Sequence, residues 1–188
     1  MATIVAIAGS LRAESYTRTA LDRALDAAES TGGDAELLDL RAFELPPLNP
    51  DVDGQGDSVA FTRRVREADA VLLGTPMYHG SYSGVLKNAL DHCGFDEFGG
   101  KTVGLLGVAG GAFPITALDH LRSVCRALDA WVLPHQAAVP RASSSFDGGE
   151  FVDNDIEDRV VTLGRRVVEY ATIEPDTETF ESGQNVGG

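Results

Sequence analysis

Short, unbroken apolar runs alternate along this chain with stripes of apolar residues at helical spacing, and no other feature restricts its fold as much. Thr3–Ala8, Ala35–Leu40, Ala70–Gly74, Thr102–Ala109 and Trp131–Leu133 read as strands. Continuous apolar runs suit parallel strands covered on both faces, whereas a half-exposed strand would alternate. Between them lie helical stripes: Ala20, Leu21, Ala24, Leu25 and Ala28; Phe61, Val65 and Ala68; Val85, Leu86, Ala89 and Leu90; Ile115, Leu118, Leu121, Cys125 and Leu128; and Ile156, Val160, Leu163, Val167 and Val168. Five strands separated by five helices predict an α/β three-layer sandwich with a parallel sheet, most simply in the order 2-1-3-4-5. The 188 residues show no repeat and no internal boundary. They predict one domain over residues 1–172, large enough to bury its own core, and an acidic tail over 173–188 that frays.

The charge balance narrows the partners. There are 29 acidic against 15 basic residues, a net charge of -14, and Lys87 and Lys101 are the only lysines. Such a surface repels nucleic acid and anionic membranes. The acids are spread along the chain and point to a hydrated globular surface adapted to a salty cytoplasm, where screening relieves the self-repulsion. No secretory leader and no apolar run near the ~20 residues of a membrane span is visible, so a cytoplasmic protein is expected. Cys93 and Cys125 lack the spacing of a disulfide framework or a cysteine metal site, and they read as buried thiols on helices. His92, His120 and His135 lack metal-ligand spacing, and no metal is expected.

Three connections carry the unusual residues. Gly9-Ser-Leu-Arg-Ala-Glu-Ser-Tyr-Thr17 combines the hydroxyls of Ser10, Ser15 and Thr17 with Arg12 just before a helix N-terminus, a natural anion site. It has neither the Gly-Lys-Ser/Thr ending of a triphosphate loop nor a GxGxxG fingerprint, and so suits a terminal monophosphate. Thr75-Pro-Met-Tyr-His-Gly-Ser-Tyr-Ser-Gly84 offers flat surfaces with polar tips on a chain whose direction Pro76 sets. Its Gly80–Gly84 segment places Tyr82 where a hydrolase elbow needs serine, which removes that mechanism. Val108–Ala112 is nearly bare backbone. Read singly, these segments also suit a helix cap, an ordinary β-α connection and a glycine turn. In a 2-1-3-4-5 sheet, however, all three emerge at the carboxyl edge near the switch point. A phosphate grip, an aromatic platform and a backbone shelf on one edge call for a planar, phosphorylated cofactor, and FMN meets all three conditions.

With those residues in view, the chain resembles the NAD(P)H-dependent FMN reductases of the flavodoxin-like fold, a family that includes quinone, azo-dye and chromate reductases. The resemblance rests on Gly9–Ser15, on Thr75–His79 with Gly84-Val-Leu-Lys-Asn-Ala-Leu-Asp91, and on Ala109–Gly111, and it spans about Thr3 to Pro134. It implies that Ser10, Arg12, Ser15 and Thr17 hold the FMN phosphate, that Pro76, Met77, Tyr78 and His79 frame the isoalloxazine, and that Gly110 and Gly111 meet its far edge. Relatives often carry Asn in place of His79 and Glu in place of Met77, so the rim differs here. The implied activity passes hydride from NADPH or NADH to FMN, then two electrons to a small quinone-like, azo or free-flavin acceptor. Tyr78 and His79 would shape the acceptor's site, and no catalytic acid or base is assigned. The resemblance also implies a homodimer or homotetramer; Lys87 and Asp91, one helical turn apart on the outward side, are candidates for that contact and otherwise read as a solvated pair. A flavodoxin-type electron carrier and a non-catalytic partner-binding module are the alternatives, while the cysteine count excludes an iron–sulfur flavoprotein.

Overall fold

The computed structural model describes residues 1–173. The predicted fraying of 173–188 falls almost wholly outside them. Strands β1 (Thr3–Ala8), β2 (Asp34–Asp39), β3 (Ala70–Pro76), β4 (Thr102–Val108) and β5 (Trp131–Val139) form one parallel sheet in the order β2-β1-β3-β4-β5. The central strands β3 and β4 are buried along nearly their whole length, and the edge strand β2 alternates. That contrast follows from cover on two faces against cover on one.

Helices α1 (Tyr16–Ser30) and α7 (Asn154–Glu169) cover one face, packing on Ile4, Ala6, Ala70, Leu72 and Leu106. The other face takes α2 (Ser58–Glu67), α3 (Gly84–Asp91), the short α4 (Phe95–Phe98) and α5 (Ile115–Ala127) over Val5, Ile7, Val71, Leu73 and Leu105. Each fully buried leucine or phenylalanine contributes roughly 1.5–3 kcal/mol, so the two layers together hold the sheet between them. The α1–α7 contact is close because residue 164 is glycine. A Cβ there would lie 1.9 Å from the Ala24 carbonyl oxygen.

Two segments depart from the sequence expectation. Strand β5 does not stop at Leu133 but continues to Val139, with an irregularity opposite Val103–Leu105 that absorbs Pro134. Proline is tolerated there because β5 is an edge strand. The stretch after it, in which the sequence marks no element, forms α6 (Ala142–Ser145) and a hairpin of β6 (Phe146–Asp147) and β7 (Glu150–Phe151). The long 41–57 connection is tied to α3, since Asn88 Nδ2 and His92 Nε2 each donate to the carbonyls of Leu45 and Pro46 respectively at 2.8 Å. Among the described residues, no helix is long and apolar enough to cross a membrane.

Candidate functional site

The first and third connections leave the sheet side by side and are locked together beneath the surface. Gly9 N–H donates to the Gly74 carbonyl at 2.8 Å. The Gly9 carbonyl accepts from Ser83 Oγ at 2.7 Å, and Ser83 Oγ in turn caps α3 by accepting from Leu86 N–H at 3.3 Å. Thr75 Oγ1 accepts from Ser83 N–H and donates to the Pro76 carbonyl, both at 2.9 Å. Ser83 and Thr75 are buried, so this network is shielded from competing water. A Cβ on Gly9 would stand 2.8 Å from Leu86 Cβ, which is why the loop can pass under α3 only as glycine.

Beyond Pro76 the chain makes a tight turn. Tyr78 and Ser81 exchange backbone hydrogen bonds at 3.0 and 3.1 Å, with His79 at φ +50° and Gly80 at φ +81° between them. Positive φ at both central residues is the signature of a type I′ turn. The turn is braced from α5, where His120 Nδ1 pairs with Ser81 Oγ at 2.9 Å and Thr116 Oγ1 reaches Met77 Sδ at 3.5 Å. The fourth connection is tied to the fifth: Arg141 N–H donates to the Gly111 carbonyl and Ala142 N–H to that of Ala109, at 2.8 and 2.9 Å. Neither Gly110 nor Gly111 has positive φ, and a Cβ on either would meet nothing within 4 Å. Backbone strain does not require glycine at these two positions; its effect is to keep the space above them clear.

These loops enclose a cleft of about 180 Å³ at the carboxyl edge. Ser10, Arg12, Ser15 and Thr17 line it from the first connection, Pro76, Met77 and Tyr78 from the third, and Gly110 from the fourth. His79 and Gly111 do not line it: His79 sits exposed at the turn's apex, and Gly111 lies one residue past the wall. Tyr16, Val108, Ala142 and Ser143 complete the lining without having been expected. Tyr16 lies between the expected Ser15 and Thr17, and Val108 opens the Val108–Ala112 shelf. Ala142 and Ser143 depended on knowing where β5 ends, and Pro134 hid that. At Arg12 and Tyr78 the cleft continues into an apolar depression of about 400 Å³ beside Leu11, Gly84 and Val85. A larger hollow of about 640 Å³ adjoins it at Ser15 and Tyr16.

The donor set is that of an anion site. Arg12 forms no ion pair with any described residue, in a molecule of net charge -14. Ser10 and Thr17 are only 3% and 2% exposed and their hydroxyls have no partner among the described residues, yet no fully buried polar atom among those residues is unpaired. Their hydroxyls therefore open onto the cleft. Ser15 Oγ accepts from Arg18 N–H at 3.3 Å as the cap of α1, leaving its own proton to donate. No aspartate, glutamate, histidine, lysine or cysteine lines the cleft. Burial pushes the Cys125 thiol up to about 12 and the Cys93 thiol higher still, so neither is a nucleophile near neutral pH. No group of three His, Cys, Asp or Glu that could hold a metal occurs among the described residues. The arrangement can bind and orient a phosphorylated planar group, but it offers no carboxylate, imidazole, amine or thiol for proton transfer.

Comparison with known proteins meets this geometry from the other direction. Residues 2–144 match the profile of the NADPH-dependent FMN reductases. The chain belongs to that family. It is 36% identical over 157 residues to an FMN-dependent NADPH-azoreductase of Staphylococcus haemolyticus, covering 79% of this chain and 84% of the relative. The corresponding Staphylococcus saprophyticus protein is 41% identical over 142 residues, 71% of this chain and 74% of its own. The flavoenzyme NAD(P)H:(acceptor) oxidoreductase of Paracoccus denitrificans has the same fold, with a TM-score of 0.77 at 23% identity over 91% of this chain and 97% of that one. As a member of the FMN reductase family the chain is an oxidoreductase with FMN as cofactor and NADPH as co-substrate. The free hydroxyls, the unpaired Arg12 and the open space over Gly110 are consistent with that cofactor.

Proposed function

We propose that the cleft is the FMN site of an NAD(P)H oxidoreductase whose acceptor is a small planar molecule of the quinone, azo or free-flavin class. The observation that carries this is the convergence of eight of the ten expected residues, from three connections far apart in the chain, on one cleft. Ser10, Arg12, Ser15 and Thr17 hold the phosphate, and Arg12 supplies the charge-assisted contact worth about 1.5–3 kcal/mol. Pro76, Met77 and Tyr78 hold the ring on one side and Gly110 leaves room for its edge. FMN supplies the two-electron chemistry between nicotinamide and acceptor. The protein's part is orientation and access. At about 180 Å³ the cleft is smaller than the ~300 Å³ or more usual for an enclosed ligand, so a bound ring extends towards the adjoining depression with one face open. Nicotinamide and acceptor would use that same face in turn, past Tyr78 and His79.

Azo compounds enter this proposal because the Staphylococcus relatives are FMN-dependent NADPH-azoreductases. The half-open groove also suits completion by a second copy, and we read the chain as a homodimer or homotetramer of a salt-rich cytoplasm. Lys87 and Asp91 pair with each other on α3 and remain half exposed, available to such a contact. Purified protein reconstituted with FMN should show flavin absorbance and oxidise NADPH when a quinone or azo dye is present. Bound flavin with no turnover would instead mark an electron carrier, and colourless protein would end the proposal.

A further inference from the structure

Arg18, the third residue of α1, grips the first connection from outside the cleft. Its Nη1 donates to the Arg12 carbonyl at 2.9 Å, and its Nη2 to the Ala13 carbonyl. Its own backbone N–H holds the Ser15 hydroxyl. One residue thus fixes three points of the loop. Its guanidinium is anchored by Asp39 at the end of β2, with Nε 3.7 Å from Oδ2, and the two side chains are only 14% and 20% exposed. Asp39 is shared with Arg41, whose hydrogen bond is the main cause of its lowered carboxyl pKa. The carboxylate is therefore a steady counter-charge.

Peptide geometry gives this grip a consequence on the opposite side. In a trans peptide the C=O and the following N–H point in opposite directions. Turning the Arg12 and Ala13 carbonyls onto Arg18 turns the Ala13 and Glu14 N–H groups away from it. None of the backbone N–H groups from Ser10 to Thr17 has a partner among the described residues. The loop is held by its carbonyls, and its donors are left unengaged. Arg18 itself lines the neighbouring 640 Å³ hollow and not the cleft.

We propose that Arg18 is a positioning residue for the cofactor: anchored by Asp39, it holds the loop so that Arg12, the hydroxyls and the free amides face the FMN phosphate, which it does not itself touch. This rests on reading the cleft as the FMN site. Lysine cannot replace it, because a single ammonium lacks the planar fork that spans two carbonyls and a carboxylate. Asp39 separates geometry from charge. Were Arg18 to act through its field on the phosphate, removing the Asp39 charge would tighten FMN. As an anchor, its loss loosens FMN.

The test is FMN and riboflavin affinity, read by quenching of flavin fluorescence with the full chain, for wild type, Arg18→Lys and Asp39→Asn, with thermal melts confirming that each folds. Arg18→Lys should weaken FMN about tenfold or more, the loss expected of hydrogen bonds to a charged group, and leave riboflavin, which has no phosphate, within about twofold. Asp39→Asn should weaken FMN about threefold in the same selective way, at the weaker end for a partly exposed ion pair, and it carries the test should Arg18→Lys not fold. Unchanged FMN affinity in both variants, tighter FMN in Asp39→Asn, or equal losses for FMN and riboflavin would each overturn the proposal. Wild type that binds neither flavin would overturn the site assignment beneath it, which is a separate outcome.

Discussion

The seam between α1 and α7 and the loop after β4 both depend on a glycine, for opposite reasons. At the seam a Cβ on Gly164 would stand 1.9 Å from the Ala24 carbonyl oxygen, a backbone atom that cannot swing aside. At the loop a Cβ on Gly110 would touch nothing within 4 Å. The first glycine closes a gap between two helices, and the second leaves one open at the carboxyl edge. Stability and ligand binding are thus kept in different parts of one sheet. The helical face carries the packing, while the edge loops carry unpaired donors and bare backbone.

Substitutions can break or sharpen that contrast. The largest effect is expected from Gly164→Ala, which should destabilise the fold by about 3 kcal/mol or more, as overpacking against fixed backbone does. A shift in the chemical denaturation midpoint would measure it, and FMN affinity of the surviving folded protein should be unchanged. Next is Arg12→Ala. It should leave the melting temperature in place but weaken FMN by roughly 10- to 100-fold, the equivalent of one charge-assisted contact, measurable by fluorescence titration. Gly110→Ala should cost no stability and could add about 0.4–1 kcal/mol by stiffening the unfolded chain. It should weaken FMN if the ring edge lies over that position, and unchanged binding would show that the shelf is not used.

The smallest effect is on acid stability. The Asp39 carboxyl is held below its usual range by its hydrogen bond from Arg41 first and by the charges of Arg41 and Arg18 after that, against some desolvation. A group with a lowered folded-state pKa stabilises the protein above its unfolded value near 3.8 and loses that contribution as pH falls through the folded value. Asp39→Asn should therefore lower stability slightly at neutral pH and leave it unaltered at the acid end, which melts across that pH range would resolve.

Much of the fold was legible because a parallel sheet writes itself into the chain as unbroken apolar runs. The strand order also followed from a small choice of topologies. The run at β5 was cut short by Pro134, since proline ends most strands, and only its place at the sheet edge with a local irregularity lets it continue to Val139. That one misjudged end concealed Ala142 and Ser143. Residues with ordinary local roles were harder still to see. Ser83 reads as a helix cap, yet it also ties Gly9 to Thr75. Arg18 reads as a helix-surface charge but grips two carbonyls behind the phosphate loop, and His120 sits unremarkably on α5 while bracing the turn at Ser81.

The alternation of apolar runs and the residue types in three loops were enough to call for a doubly wound sheet and a phosphorylated planar ligand, because backbone periodicity and side-chain chemistry are local properties that each segment carries alone. Which way His79 and Gly111 face, which glycines are packed and which are open, and which arginine meets the ligand and which holds the loop are not local. They depend on contacts between segments tens of residues apart, whose distances are set only when the sheet and its helices have come together.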